Sequence, residues 1–311
     1  MAVNMKNKSL LSIKDLTVEE VEQIFDLSRV LKQERLFGKI INPILSGKTL
    51  ALIFEKPSTR TRLSFDIAMR ELGGHPIYLS ANDLQLARGE SIADTARVLS
   101  RYVHGIMARV FEHQKLVDLA KYGCVPVING LSDYMHPCQV LADLFTILEK
   151  FGGFCGRKLV FMGDGSNNMA HSLLEGCAKV GMDCTICTPP NILPDKKVWD
   201  AAMEDAGMSG AELLVSHDSA EAVQNADVIY TDVWASMGQE KEHDERVKKM
   251  MPYQVNKALM DKSGGALFMH CLPAHRGEEV TDDVVDADYS IVFDEAENRL
   301  HVQKAILALV M

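Results

Sequence analysis

Positions 58 to 62 read Ser-Thr-Arg-Thr-Arg, three hydroxyls and two guanidiniums in five consecutive residues. They follow the apolar run KTLALIFE (48–55) and open an amphipathic stretch. A strand that hands the chain to a helix start would gather these side chains, with the first turn's unpaired N–H groups, around a phosphate. A helix N-cap flanked by solvated arginines is the plainer alternative. His136-Pro137-Cys138-Gln139 sets an imidazole and a carboxamide at a second helix start. Both groups polarise or orient a small planar group, although a capping His and a surface Gln explain the same run.

Three more runs carry chemistry. Gly163-Asp164-Gly165-Ser166-Asn167-Asn168 follows a strand, but Asn168 stands where a dinucleotide fingerprint needs its third glycine. That disfavours a nicotinamide cofactor. Paired asparagines at a strand end suit a substrate carboxylate or amide, or simply a turn. Asp232, opening DVWASMG (232–238), offers a carboxylate to a cation or ends a strand in an ordinary turn. The glutamate-rich segment after it reads as a mobile loop. In His270-Cys271-Leu272-Pro273 the thiol is a nucleophile or a small residue lining a cleft. No Ser-His-Asp or Cys-His pairing follows from spacing, so covalent catalysis is not assigned. Helical His pairs and repeated Cys pairs are missing too, so neither metal nor cofactor is expected. Cys184 and Cys187 form a CxxC, but on a strand they face opposite sides.

The five runs, the CxxC aside, fall at the ends of predicted strands. Thr17 and Glu20 form a capping box before Val21, Ile24, Phe25, Ser28 and Leu31, which recur at helical spacing. The helix after KTLALIFE is predicted over 57–74, opened by Pro57 and closed by Gly73-Gly74. Strands are predicted at 77–79, 105–110 and 125–129, with helices over 91–102, 114–121 and 137–151. After Gly152-Gly153 the rhythm restarts, with strands at 158–165, 183–188, 211–216, 226–234 and 265–273. Helices are expected over 169–180 and 198–206, and a last one from 295 to 311. Such alternation makes an α/β protein of two domains, each a parallel sheet flanked by helices. The boundary falls near residue 150, giving domains 1–150 and 151–295. In open α/β sheets ligands bind at the strands' C-terminal ends, which is where the five runs gather.

A length of 311 residues fits two domains of roughly 150. A formal charge of −10 argues against nucleic acid or an anionic membrane as partner, so an anionic ligand must be held by local cations. No apolar run is long enough to span a bilayer and no signal peptide opens the chain. Seven irregularly spaced cysteines suit a reducing compartment. A cytoplasmic protein is expected.

The blocks FEKPSTRTR (54–62), ARV (108–110), HPCQ with LADL (136–144), GDGSNN (163–168), DVWASMG (232–238), HCLP (270–273) and FDEAENR (293–299) resemble the ornithine carbamoyltransferases, in order and over essentially the whole length. The resemblance implies transfer of the carbamoyl group of carbamoyl phosphate to L-ornithine, a reaction of the arginine-biosynthesis type, in a homotrimer without cofactor. It implies a carbamoyl-phosphate domain, an amino-acid domain, an active site in the cleft between them, and a last helix (296–311) returning to the first domain. Ser58, Thr59, Arg60 and Thr61 would hold the phosphate, and Gln85 would reach it from a neighbouring subunit. Arg109, His136 and Gln139 would engage the carbamoyl group, with Cys271, Leu272 and Arg299 at the reacting centre. Asn168, Asp232, Ser236 and Met237 would bind ornithine. Cys138 fills a variable position of its motif, and the run after HCLP is short. Aspartate or putrescine as acceptor, or a non-catalytic phosphate- or amino-acid-binding module, are the alternatives. Aspartate would demand extra cations for its second carboxylate, whereas Asp232 suits an acceptor that bears an amine.

Overall fold

The computed structural model describes residues 3–80, 89–234 and 243–311. They divide into two compact units, residues 1–145 with 297–311, and residues 146–296.

The first unit opens with α1 (Val18–Leu36), whose capping box forms as its sequence predicts. The Thr17 hydroxyl accepts from Glu20 N–H at 3.2 Å and the Glu20 carboxylate accepts from Thr17 N–H at 2.8 Å. Strand and helix then alternate through β1 (Thr49–Phe54), α2 (Thr59–Glu71), β2 (His75–Ser80), α3 (Ile92–Tyr102), β3 (Gly105–Arg109), α4 (His113–Tyr122), β4 (Val127–Leu131) and α5 (Pro137–Phe151). The strands pair in parallel in the order β2-β1-β3-β4. Central strands of a parallel sheet are covered on both faces, and β1 is buried from Leu50 onward. Ala51, Ile53, Ile106, Ala108 and Val127 pack with Ala96, Leu116 and Leu119 of α3 and α4.

The second unit runs β5 (Lys158–Met162), α6 (Asn168–Val180), β6 (Asp183–Cys187), α7 (Lys196–Ser209), β7 (Leu213–Ser216), α8 (Ser219–Ala222), β8 (Val228–Thr231), α9 (His243–Met250), α10 (Lys257–Ser263), β9 (Leu267–His270), α11 (Asp282–Val285) and α12 (Val292–Val310). Its strands are also parallel, in the order β7-β6-β5-β8-β9. Val160, Met162, Ile229 and Phe268 centre a core closed by Leu259, Met260, Val284 and Val285. The division between units falls inside α5 and α12.

Several boundaries differ from those read in the sequence. α2 starts at Thr59, not Pro57, because Ser58 is the N-cap and accepts from Thr61 N–H at 3.2 Å. The strands expected over 158–165, 226–234 and 265–273 stop at Met162, Thr231 and His270. The apolar run continues past each ladder because residues such as Trp234 are buried from the turn beyond it. Helices α8 to α11 are too short to show a helical period. Among the described residues no helix is long and apolar enough to cross a membrane.

Candidate active site

In an open parallel sheet, the crevice between two strands whose connections leave in opposite directions is the place for a ligand. In the first unit that switch lies between β1 and β3, and in the second between β5 and β8. The functional runs follow these strands.

In the first unit, β1 delivers the chain to α2, so Ser58, Thr59 and Arg60 ring a helix N-terminus whose N–H groups favour an anion. Arg62 does not join them. Its guanidinium lies 3.9 Å from the ring centroid of Tyr78. Thr61 points inward and is fully buried, and its hydroxyl gathers two cations. Arg299 Nη2 donates to it at 3.2 Å, and Arg109 Nη1, at the end of β3, at 3.5 Å. Arg299 Nη1 also donates to Gln139 Oε1, and Gln139 Nε2 donates to Asp143 at 2.8 Å. His136, immediately before α5, is buried. Burial, joined by the charges of Arg299 and Arg109, holds its pKa well below the ordinary imidazole range. The ring is therefore neutral, an N–H donor beside two permanent cations. Five residues from four places in the sequence thus converge. Cys138 faces the core instead, where its thiol donates to Asn129 O at 3.3 Å and burial pushes its pKa up to about 12.

Lys56 escaped the reading of the sequence. It sits two residues before the Ser58 cap, is 9% exposed, and lies with its ammonium 4.2 Å from the Phe111 ring centroid. Burial and the nearby charge of Arg109 lower its pKa. Its place next to the phosphate-type motif was the available signal.

In the second unit, β5 ends at Gly163-Asp164-Gly165. A Cβ on Gly165 would stand 2.6 Å from Ile192 O, so this glycine admits a crossing of the protein's own backbone rather than a pyrophosphate. Asp164 is ion-paired to Arg246 of α9 and accepts from the Ser166 N–H and hydroxyl at 2.9 and 2.7 Å. This turn presents Asn167 as the N-cap of α6, where it accepts from Ala170 N–H at 2.8 Å. Asn168 follows as the first helical residue. Asn167 Nδ2 lies 3.5 Å from Asp232 Oδ2, and Asp232 Oδ1 accepts from Val233 N–H at 2.8 Å and from the Cys271 thiol at 3.1 Å. Burial raises the pKa of Asp232, against the opposing effect of the hydrogen bonds from the Cys271 thiol and Val233 N–H. His270, at the end of β9, lies 3.1 Å from Glu279 through Nε2 and accepts from Leu272 N–H at 2.8 Å through Nδ1, so the Nε2–H tautomer satisfies both.

Two clusters among the described residues could each offer a cation three ligand atoms, Asp232 with His270 and Cys271, and His275 with Glu278 and Glu279. Within the first, the thiol already donates its proton to the carboxylate. Cys184 and Cys187 are both buried on β6 as free thiols. Gln85, Ser236 and Met237 lie outside the described residues.

Fold and side-chain chemistry together define a class: an α/β protein of two parallel-sheet units, one with hydroxyls and an arginine at a helix N-terminus and a buried neutral imidazole near two arginines, the other with a carboxylate beside a thiol. Residues 8–149 match the aspartate/ornithine carbamoyltransferase carbamoyl-P binding domain, and residues 155–310 match the Asp/Orn binding domain of the same family. An ornithine carbamoyltransferase of Pyrococcus abyssi is 57% identical over 312 aligned positions, covering 100% of this chain and 98% of that one. One from Carboxydothermus hydrogenoformans is 55% identical, with 100% of both chains covered. The solved structure of the Pyrococcus furiosus ornithine carbamoyltransferase superposes with a TM-score of 0.96 at 57% identity, over 100% of this chain and 99% of that one. The chain belongs to the aspartate/ornithine carbamoyltransferase family.

Proposed function

We propose that the protein transfers the carbamoyl group of carbamoyl phosphate to the side-chain amine of L-ornithine, releasing L-citrulline and phosphate. The observation that carries this reading is the convergence of Arg109, Arg299, Gln139 and a neutral His136 about Thr61 in the first unit. Permanent cations and neutral donors suit a carbonyl oxygen on which negative charge grows.

In this reading the phosphate docks on Ser58, Thr59, Arg60 and Thr61. Arg109, His136 and Gln139 orient the carbamoyl group, and Arg299, Cys271 and Leu272 belong to the reacting centre. Ornithine is held by Asn168, Asp232, Ser236 and Met237, with Asp232 pairing the α-ammonium. Free ornithine's side-chain amine has a pKa of about 10, like lysine, and attacks only after losing its proton. The new N–C bond forms as the C–O bond to phosphate breaks, and the phosphate departs with that electron pair toward the cations that held it, taking up the second proton that the attacking nitrogen sheds. The 1–150 and 151–295 segments are thereby the carbamoyl-phosphate and ornithine domains, the last helix serving the first.

The reading extends to a cytoplasmic homotrimer in which Gln85 of one subunit completes a neighbour's phosphate site. Equal mixing and reassembly of Arg60→Ala and Gln85→Ala subunits should then restore activity above the mean of the two parents, since some interfaces pair an intact cradle with an intact loop. Citrulline formation by the purified protein tests the central assignment. Carbamoyl transfer to aspartate without citrulline would overturn the acceptor, and ligand binding without turnover would leave a binding module.

A further inference from the structure

We infer that Gln303 is a positioning residue for Arg299; the inference rests on the role proposed for Arg299 at the reacting centre. Both residues lie on α12, four apart, and so share one face of the helix. Gln303 is fully buried. A buried carboxamide is costly unless both of its ends find partners, and here both do. With the amide oriented so that its oxygen faces the guanidinium and its nitrogen the hydroxyl, the one orientation that satisfies both ends, the nitrogen donates to Ser64 Oγ at 2.6 Å and the oxygen accepts from Arg299 Nε and Nη2 at 3.0 Å each.

The contacts close on themselves. The Ser64 hydroxyl donates to Thr61 O at 3.3 Å, and the Thr61 hydroxyl accepts from Arg299 Nη2 at 3.2 Å. Arg299, Gln303, Ser64 and Thr61 thus form a ring that ties α12 to the first turn of α2, the turn that builds the anion cradle. A guanidinium is a rigid planar fork, so partners on two of its edges fix its orientation. Gln303 takes the Nε/Nη2 edge and Gln139 takes Nη1. Because Gln303 is neutral, it aims the guanidinium without cancelling its charge, which a carboxylate in the same place would do.

The test is a double-mutant cycle on citrulline formation by the purified full chain, comparing wild type, Gln303→Met, Arg299→Lys and the double variant. Gln303→Met is expected to lower kcat by about 10- to 100-fold, the scale for a group displaced by about an ångström. Half-saturating ornithine should stay within about threefold, since no contact to that substrate is touched. In the Arg299→Lys background the same substitution should add little. Wild-type kcat in Gln303→Met, or losses that multiply in the double variant, would overturn the inference. If Gln303→Met does not fold, Ser64→Ala cuts the ring at its other end and should show the same non-additivity with Arg299→Lys. Wild-type turnover in Arg299→Lys would instead refute the role given to Arg299, and absence of citrulline from the wild type would refute the proposed reaction.

Discussion

Replacing His136 by Gln should make the protein less sensitive to acid. The imidazole is buried and stands near the charges of Arg299 and Arg109, so its folded pKa lies well below the ordinary 6.5. Below pH 6.5 the unfolded chain therefore takes up a proton at this position that the folded chain refuses. Stability from this residue is intact above that pH and is lost as pH falls toward the folded pKa. The loss relative to neutral pH is about 1.4 kcal/mol at pH 5.5 and about 2.7 kcal/mol at pH 4.5, for as long as the folded ring stays neutral. His113 and His301, whose pKa values burial also lowers, act in the same direction in both proteins and drop out of the comparison. Urea unfolding at pH 7.5 and 5.5 measures the difference. Far-ultraviolet circular dichroism is the suitable signal, because Trp199 and Trp234 both belong to the second unit and their fluorescence would miss the first. Wild type should lose about 1.4 kcal/mol more than His136→Gln between the two conditions. Equal losses would mean that the folded ring titrates normally, and the neutral N–H donor near Arg299 and Arg109 would have to be abandoned.

Arg60→Ala should weaken carbamoyl-phosphate binding by about 2–5 kcal/mol, as for a lost charge-assisted partner, and calorimetry showing unchanged affinity would remove Arg60 from the cradle. Asp232→Asn should leave carbamoyl-phosphate affinity intact while raising the Michaelis constant for ornithine, and steady-state kinetics at wild-type values would return Asp232 to a purely structural role. Lys304 Nζ lies 2.8 Å from Glu71 with both side chains buried. Lys304→Met should destabilise the first unit by about 3 kcal/mol, the low end for a broken buried pair because Arg35 still reaches Glu71. A change in urea midpoint equivalent to less than about 1 kcal/mol would show that Arg35 alone suffices.

What the sequence made legible was whatever is encoded locally. The capping box at Thr17 and Glu20 needs only two residues three apart, and the alternation of apolar runs with helical periods needs only neighbours. From that alternation the parallel sheets follow, and from the sheets the rule that sites gather at strand ends. The strand order does not follow, because no residue within β1 says whether β2 or β3 will lie on its left. Nor do the partners of the site residues. Cys271 donates to Asp232 across 39 positions of chain, and Arg299 meets Thr61 across 238, distances over which spacing has no period to read. The burial of Lys56 was hidden for the same reason, since Phe111 arrives from the end of another strand. Gln303 shows the limit most clearly. By its spacing it is one more polar residue on a helix of mixed face, and the property that matters, an amide whose two ends match a hydroxyl and a guanidinium, exists only once α2 and α12 are packed. Local sequence therefore chooses which groups stand at the ends of the strands, and packing decides which of them can hold a charge in place, so the supporting residues of such a site must be sought among its buried polar side chains rather than among its motifs.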